Sequence, residues 1–389
     1  MVPRTLQSQL ESVLFRGKVV ILYGARQTGK TTLVQRILGQ FEGQSLFLNC
    51  DEPDTRMALE DRTSTALKQY IGQAELVVID EAQRVKDIGL TLKLLVDRWP
   101  ETQILATGSS SFELANRTRE PLTGRKFEFH LHPLSMQELW DYHGGMETQR
   151  ALERRLVYGL YPEVVSEEGP MAAELLREIA GSYLYKDILM WKDIRKPEIL
   201  DRLLRALALQ VGSEVSINEL GQMLGVDKQT VATYLDVLQQ AFIVFPLSSF
   251  NRNLRNELKK SRKIYFWDVG LRNALIQNLN PIELRTDQGA LWENFIVTER
   301  IKRMQNERHA CRSFFWRTHQ QKEIDYLEES DGQLRAAEIK WRSKKKPVLP
   351  KIFREAYPEA TFQRVDPENW RDFLIRRPTD PRRGEAMKA

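Results

Sequence analysis

Apolar and polar positions follow two different rhythms along the 389 residues. In the first third, short aliphatic runs such as Val19-Val20-Ile21-Leu22-Tyr23, Leu76-Val77-Val78-Ile79 and Ile104-Leu105-Ala106 stand between amphipathic stretches. A strand covered on both faces reads as an unbroken aliphatic run, so strands are predicted near 18–23, 45–49, 75–80, 103–107 and 126–131, with helices between them. This succession predicts an α/β unit over residues 1–140 with a mostly parallel sheet in three layers. From about residue 145 the Leu and Ile positions take a helical period, and 141–210 is expected to be a helical segment. Within it, Tyr183-Leu184-Tyr185-Lys186-Asp187 reads as packing and interdomain contact.

Residues 211–270 predict a winged helix-turn-helix. Ser216-Ile217-Asn218-Glu219 is a capping box opening a helix through Leu224, Gly225-Val226-Asp227 supplies a turn, and Asp227 caps a second helix from Lys228 to Gln240. Val231, Leu235 and Leu238 face inward on that helix, while Lys228, Gln229, Thr230 and Thr233 face outward. Strands Ala241–Phe245 and Lys263–Trp267 would form the wing. Such a module either touches DNA through helix and wing or serves protein packing alone. From Gly289 the pattern reads helix, three strands, helix, strand, defining a last domain over 271–375. Residues 376–389, with few apolar side chains, read as a flexible tail.

The length fits two or three domains, and 42% hydrophobic content is ordinary for a packed protein. No N-terminal apolar segment of the secretory kind is visible, and no apolar run approaches the roughly 18 residues that span a bilayer, so a cytoplasmic protein without membrane contact is expected. Cys50 and Cys311 lie far apart without zinc-ligand spacing, which suits free thiols, and the five scattered histidines argue against a His-rich metal site. The formal charge of +5 matters less than its distribution. Arg252, Arg255, Lys259, Lys260, Arg262 and Lys263 form one basic cluster, and Lys340, Arg342, Lys344, Lys345 and Lys346 a second. Either can be a solvated face, but their position beside the two C-terminal modules favours contact with a phosphate backbone.

The first aliphatic run leads into Gly24-Ala25-Arg26-Gln27-Thr28-Gly29-Lys30-Thr31-Thr32, the spacing of a phosphate-binding loop between strand and helix. Its glycines let backbone N–H groups close around a triphosphate at the positive end of a helix. Lys30 would reach the β- and γ-phosphates of ATP, and the Thr31 hydroxyl would ligate Mg²⁺. The run ending in Asp80 and Glu81 supplies the complement: Asp80 to hold the metal, Glu81 to orient and deprotonate a water. An acidic pair in that place can also cap the following helix. Thr107 or Ser109, after the next strand, can bond the water or the γ-phosphate, although Ser and Gly there are also turn residues. Of Arg117, Arg119 and Arg125, the last is the candidate for neutralising transition-state charge, from the same or a neighbouring subunit; the alternative is a plain surface arginine.

In this order the motifs resemble a family of AAA-like P-loop ATPases whose C-terminal region (DUF4143) is related to restriction endonucleases. The resemblance rests on the loop, on Ile79-Asp80-Glu81-Ala82-Gln83, Ala106-Thr107-Gly108-Ser109-Ser110, Gly124-Arg125, Pro133-Leu134-Ser135 with Glu138, Gly159-Leu160-Tyr161-Pro162-Glu163, Tyr185-Lys186-Asp187-Ile188 and Tyr265-Phe266-Trp267-Asp268-Val269-Gly270-Leu271. It covers nearly the whole chain and implies a cytosolic ATPase.

In the last domain Asp325 falls on a predicted strand, Glu338 and Lys340 share one face of the next, and Glu293 lies on the preceding helix. Two carboxylates and a lysine on adjacent strands can hold Mg²⁺ and activate water for phosphodiester hydrolysis, with Asp325 and Glu338 as ligands, Lys340 near the water and Glu293 completing the shell. The pattern is similar to the PD-(D/E)XK nucleases, except that Ile324 stands where their proline is usual. A structural ion-pair network is the alternative. Two functions follow: an ATP-driven protein that processes DNA, branched or forked forms included, or a nucleotide-dependent switch whose C-terminal fold binds a DNA or protein partner and cuts nothing. A homo-oligomer is expected, a hexamer being compatible with an arginine acting across a subunit boundary.

Overall fold

The computed structural model describes residues 1–109, 122–186, 196–250, 262–318, 320, 322–342 and 348–376. The N-terminal unit is built on β1 (Val19–Tyr23), β2 (Ser45–Asn49), β3 (Leu76–Asp80), β4 (Gln103–Gly108) and β5 (Lys126–His130), in the order β2-β3-β4-β1-β5. All four pairings are parallel. Strand alternation divides the aliphatic runs between two cores. Val20, Leu22, Val78 and Leu105 pack under the helices Leu6–Glu11 and Lys30–Gln40, whereas Val19, Ile21, Val77, Ile79 and Ala106 pack against Leu67, Ile71, Leu92 and Leu95 of the helices on the other face. Helices on both faces of a parallel sheet give the three-layer α/β fold expected from the sequence.

Helices Met136–His143, Gly145–Arg150, Leu152–Tyr158, Pro162–Ser166, Gly169–Lys186 and Pro197–Leu209 follow. Two of the sequence motifs lock together here. Asp268 accepts hydrogen bonds from Leu160 N at 2.7 Å and Leu271 N at 2.9 Å. Gly159 (φ +74°) and Gly270 are required at this contact, since a Cβ on the first would lie 2.1 Å from the Asp268 carboxylate and on the second 2.1 Å from the Tyr158 carbonyl oxygen.

The second sheet contains β6 (Glu214–Val215), β7 (Val244–Ser249), β8 (Arg262–Phe266), β9 (Arg312–Arg317), β10 (Glu323–Ser330), β11 (Gln333–Ile339) and β12 (Thr361–Val365). Its order is β12-β11-β10-β9-β7-β8-β6, so it runs across the boundary drawn at residue 270: β7 pairs parallel with β9 through Ser248↔Phe314 and Ser249↔Phe315. Helices Ile217–Leu224 and Lys228–Gln240 form with Gly225 in left-handed backbone (φ +70°) and Asp227 capping Thr230 N at 2.9 Å. The strand expected at Ala241–Phe245 begins only at Val244, because Ala241 caps the preceding helix and Phe242 turns the chain at φ 52°. Among the described residues no helix is long and apolar enough to cross a membrane. Cys50 is buried, Cys311 half-buried, and neither is in a disulfide. Arg117, Arg119, Asp187 and Ile188, Arg252 to Lys260, Lys344 to Lys346 and the tail beyond Arg376 lie outside the described residues.

Candidate functional site

The loop Gly24–Thr32 joins the C-terminal end of β1 to the helix Lys30–Gln40. Gly24 is forced by contact, since a Cβ there would stand 2.2 Å from the Leu131 carbonyl oxygen. Gln27 (φ 58°) and Gly29 (φ 91°) take left-handed backbone that turns the loop into the helix. Lys30, 5% exposed, donates to the carbonyls of Gly24 at 2.8 Å and Ala25 at 2.9 Å, which anchors its ammonium across the loop. Ala25 and Thr28 are buried, and Thr28 Oγ1 returns a hydrogen bond to Ala25 O at 2.8 Å. Arg26 and Thr32 are half-buried and Gln27 exposed.

Parallel pairing brings the second motif alongside. Thr31 Oγ1 donates to Asp80 Oδ2 at 2.8 Å, Thr107 Oγ1 donates to the other Asp80 oxygen, and Thr107 Oγ1 accepts from Glu81 N at 3.1 Å. Thr31 and Asp80 are hard oxygen donors meeting at one point, a set that fits Mg²⁺. Glu81 has φ 52°, an uncommon backbone for a non-glycine residue, and its carboxylate accepts from Gln83 Nε2, which also donates to Ser109 Oγ at 3.1 Å. Thus Thr31, Asp80, Thr107, Glu81, Gln83 and Ser109 form one connected polar chain at the C-terminal ends of β3 and β4, where ligands of open α/β sheets gather.

Arg125 is not part of it. The parallel register Val19↔Lys126 through Tyr23↔His130 puts Arg125 at the N-terminal end of the strands, the end away from the loop, where its Nε pairs with Asp97 at 2.6 Å. Geometry therefore removes the same-subunit role considered for this arginine.

Three contributors escaped the sequence reading. Arg4 donates to Thr28 O at 2.7 Å, to His132 O at 2.6 Å and to Glu138 Oε1 at 3.1 Å, tying the loop to the chain leaving β5. A cavity of about 640 Å³ adjoins the loop, lined among others by Val2, Gly29, Leu33, Leu139 and Arg155. Arg155 is 5% exposed and donates to Val165 O at 3.3 Å, while its Nε and Nη1 have no hydrogen-bond partner among the described residues. Burial, with the nearby charge of Arg154, pulls its pKa down to about 10. No sequence motif marks Arg4 or Arg155; only the fold places them.

Residues 16–140 match the family model described as an AAA domain. The N-terminal unit is thus similar to AAA domains. Its fold is that of a P-loop ATPase and implies nucleotide binding. Residues 149–282 and 288–369 match two domains of unknown function, DUF8612 and DUF4143. A protein of Mycobacterium tuberculosis described as uncharacterized is 29% identical over 366 residues, covering 93% of this chain and 78% of that protein. Another, from Methanocaldococcus jannaschii and also described as uncharacterized, is 22% identical over 326 residues, covering 76% and 73% of the two chains. Among solved structures, Cdc6p from Pyrobaculum aerophilum aligns over 73% of this chain and 97% of its own at 13% identity, with a TM-score of 0.30, too low to argue from.

The C-terminal set assembles differently from expectation. Asp325 Oδ2 accepts from Lys340 Nζ at 2.9 Å and from Ile339 N at 2.7 Å. Extending the pairing Tyr326↔Ala337 by one residue puts Glu338 directly across from Asp325. Burial raises the Glu293 carboxyl above its usual range and the charge of Asp325 adds to this, partly offset by Lys263. Glu293 Oε1 accepts from Lys263 Nζ at 2.8 Å and from Tyr265 OH at 2.6 Å. Lys263, assigned from sequence to a basic cluster facing phosphate, is instead 1% exposed and also pairs with Glu323 at 2.5 Å. The two residues alternate on β8, so Lys263 and Tyr265 share the face that meets the helix Gln288–Asn306.

Proposed function

We propose that this protein is a Mg²⁺-dependent ATPase whose nucleotide cycle governs the engagement of DNA by its C-terminal half. The observation that carries the reading is the unbroken chain from Thr31 through Asp80 and Thr107 to Glu81 and Gln83. Thr31 and Asp80 would hold the Mg²⁺, which when bound neutralises charge developing on the phosphates. Loop N–H groups and Lys30 bind the triphosphate, and Glu81, steadied by Gln83, orients a water and takes its proton. Thr107, through the Glu81 amide, and Ser109, through Gln83, link Glu81 to the end of β4 and would register loss of the γ-phosphate. The cavity lined by Val2, Leu33 and Leu139 is apolar enough for a purine, and the free donors of Arg155 suit acceptor atoms of the nucleotide.

DNA engagement rests on the helix Lys228–Gln240, read as the recognition helix of a winged helix-turn-helix. Lys228 and Gln229 are exposed at its N-terminal end, while Val231, Leu235 and Leu238 are buried. A homo-oligomer, up to a hexamer, would let Arg125 serve a neighbouring nucleotide, with Asp97 as its resting partner. A second reading, a nucleotide switch that binds a partner without cutting it, is favoured by Lys263 within the carboxylate cluster. ATP turnover by wild type, Lys30→Ala and Glu81→Gln, each with and without forked DNA, tests the scheme. Turnover lost in both variants and stimulated by DNA in wild type is expected; unchanged turnover in the variants refutes the site, and no DNA binding at low salt refutes the partner. Gels of duplex, forked and four-way DNA with Mg²⁺ or Mn²⁺, using wild type and Asp325→Ala, separate the two readings.

A further inference from the structure

Three carboxylates of the C-terminal cluster, Glu293, Glu323 and Asp325, already have a cationic or hydrogen-bonding partner. Glu293 has Lys263 and Tyr265, Glu323 has Lys263, and Asp325 has Lys340 and the amide of Ile339. The Lys263 nitrogen stands 2.8 Å from Glu293 and 2.5 Å from Glu323. A Mg²⁺ held by those same oxygens would sit about 2.1 Å from each, inside the volume the ammonium fills, and would meet its positive charge at contact distance. The ammonium has no way to withdraw into water, because the side chain is 1% exposed and the nitrogen lies 5.5 Å from the centre of the Phe315 ring. Burial works against its charge, but Glu293 and Glu323 more than compensate and hold its pKa above the usual lysine value. Among the described residues no group of three His, Cys, Asp or Glu side chains is arranged to hold a metal ion.

We infer that Lys263 is the resident cation of the Glu293 and Glu323 carboxylates, with Asp325 beside Glu293, and that this cluster takes no divalent ion while the Lys263 ammonium is in place. The site is a cation site of the nuclease-like kind closed from within, and a neutral side chain at 263 opens it. Glu293 would then be left without its counter-charge and Glu323 with Arg317 Nε at 3.9 Å, a condition that draws a hard divalent ion. The inference goes beyond the ATPase reading and is independent of it, since none of its residues belongs to the loop.

The experiment uses the full chain carrying Asp80→Asn, which disables the metal position of the nucleotide site, without nucleotide. Mn²⁺ binding is followed by electron paramagnetic resonance and by the shift in Tm on adding Mn²⁺. With Lys263 intact, no saturable site and no Tm shift are expected. With Lys263→Ala, about one Mn²⁺ per chain and a Tm raised by several degrees are expected, both abolished by adding Asp325→Asn. Saturable Mn²⁺ binding in the Lys263-intact protein that disappears with Asp325→Asn overturns the inference, as does a folded Lys263→Ala chain that binds no more Mn²⁺ than its parent. Should Lys263→Ala not fold, Lys263→Gln takes its place. The comparison of the Lys263-intact chain with its Asp325→Asn derivative needs neither, and binding lost in that pair is decisive against the inference. ATP turnover of wild type, measured separately, reports on the nucleotide site alone.

Discussion

Replacing Arg4 by Ala removes a side chain that holds the phosphate loop to the chain leaving β5. The guanidinium is 10% exposed and its partner Glu138 is 1% exposed, so the pair is effectively buried. Breaking a buried ion pair costs about 3–5 kcal/mol, and the lower end applies because Glu138 keeps the amides of Ser135 and Thr5, both at 2.9 Å. Only the bond to Thr28 O acts on the loop itself. A hydrogen bond from a charged group contributes about 1.5–3 kcal/mol, and with a factor of ten for each 1.4 kcal/mol the Kd for ATP should rise roughly 10- to 100-fold if that bond serves to hold the loop ready. Titration with a fluorescent ATP analogue measures the affinity, and a thermal melt measures the stability loss. Arg4→Lys sharpens the test, because an ammonium can still face Glu138 but cannot reach all three acceptors. It should recover part of the Tm and little of the affinity. An ATP Kd within two-fold of wild type in Arg4→Ala, with the Tm lowered, refutes the claim that Arg4 organises the loop and leaves it a strut.

Gln83→Leu frees the Glu81 carboxylate and should lower kcat about ten-fold while the Kd for ATP stays put; a change in Kd alone would mean that Gln83 shapes the loop. Arg155→Met removes a buried guanidinium with two unpartnered donors. The nucleotide-free protein should therefore melt no lower, and even higher, while ATP affinity falls; a lower Tm with unchanged affinity sinks the assignment. His132 is stacked on Trp267 at 3.9 Å, and burial holds its pKa well below the ordinary 6.5. The folded chain thus resists a proton that the unfolded chain takes up near 6.5, so its contribution is whole above that pH and is lost below it, by at most about 1.4 kcal/mol per pH unit. Denaturant melts from pH 7.5 to 5.5 should show this slope in wild type and a shallower one in His132→Phe; Asp268, Glu293 and Glu299, whose carboxyls burial raises, act with the opposite sign and cancel in the comparison. Glu299→Gln with Lys302→Met exchanges a buried pair for neutral groups and should leave basal ATP turnover within two-fold while removing its response to DNA; a retained response separates the two halves of the molecule.

The candidate nucleotide site was legible because its logic is local. Strand, glycine-bearing loop and helix follow one another in the chain, and the aliphatic runs before Asp80 and Thr107 announce strands whose ends must lie beside the loop in a parallel sheet. What the sequence concealed were single side chains acting across long separations. Arg4 meets Glu138 over 134 positions, and Lys263 meets Glu293 over 30, so neither leaves a spacing to notice. Lys263 misled for a specific reason: it ends a run of basic residues, yet strand alternation groups it with Tyr265 on an inward face. Arg125 misled because the short motif Gly124-Arg125 does not say that β5 lies beside and parallel to β1, which carries its start away from the loop. The domain boundary at 270 followed from counting modules, whereas pairing of β7 with β9 depends on contacts the linear pattern does not contain.

One element brings these observations into a single frame. The helix Gln288–Asn306 has 19 residues and is therefore about 28 Å long. Near its start Glu293 holds Lys263 and Tyr265, and Asn294 brackets Phe266 of β8 with bonds at 3.0 and 2.8 Å. Further along, Glu299 accepts from Met136 N at 2.6 Å, Lys302 donates to Leu134 O at 3.1 Å, and Gln305 meets His132 at 2.6 Å. Residues 132–138 are the segment that Arg4 ties to the phosphate loop. A shift of the loop on nucleotide binding would thus reach β8 through one side chain, one backbone segment and one rigid helix. Such contiguity is only a physical opportunity for coupling until a perturbation of the junction changes what each end does. It also gives Lys263 a reason to exist beyond charge balance: an ammonium fixed to both the helix and β10 makes the far end of that helix stiff, and a stiff end is what turns a displacement at residues 132–138 into a displacement of the sheet that bears the helices Ile217–Leu224 and Lys228–Gln240.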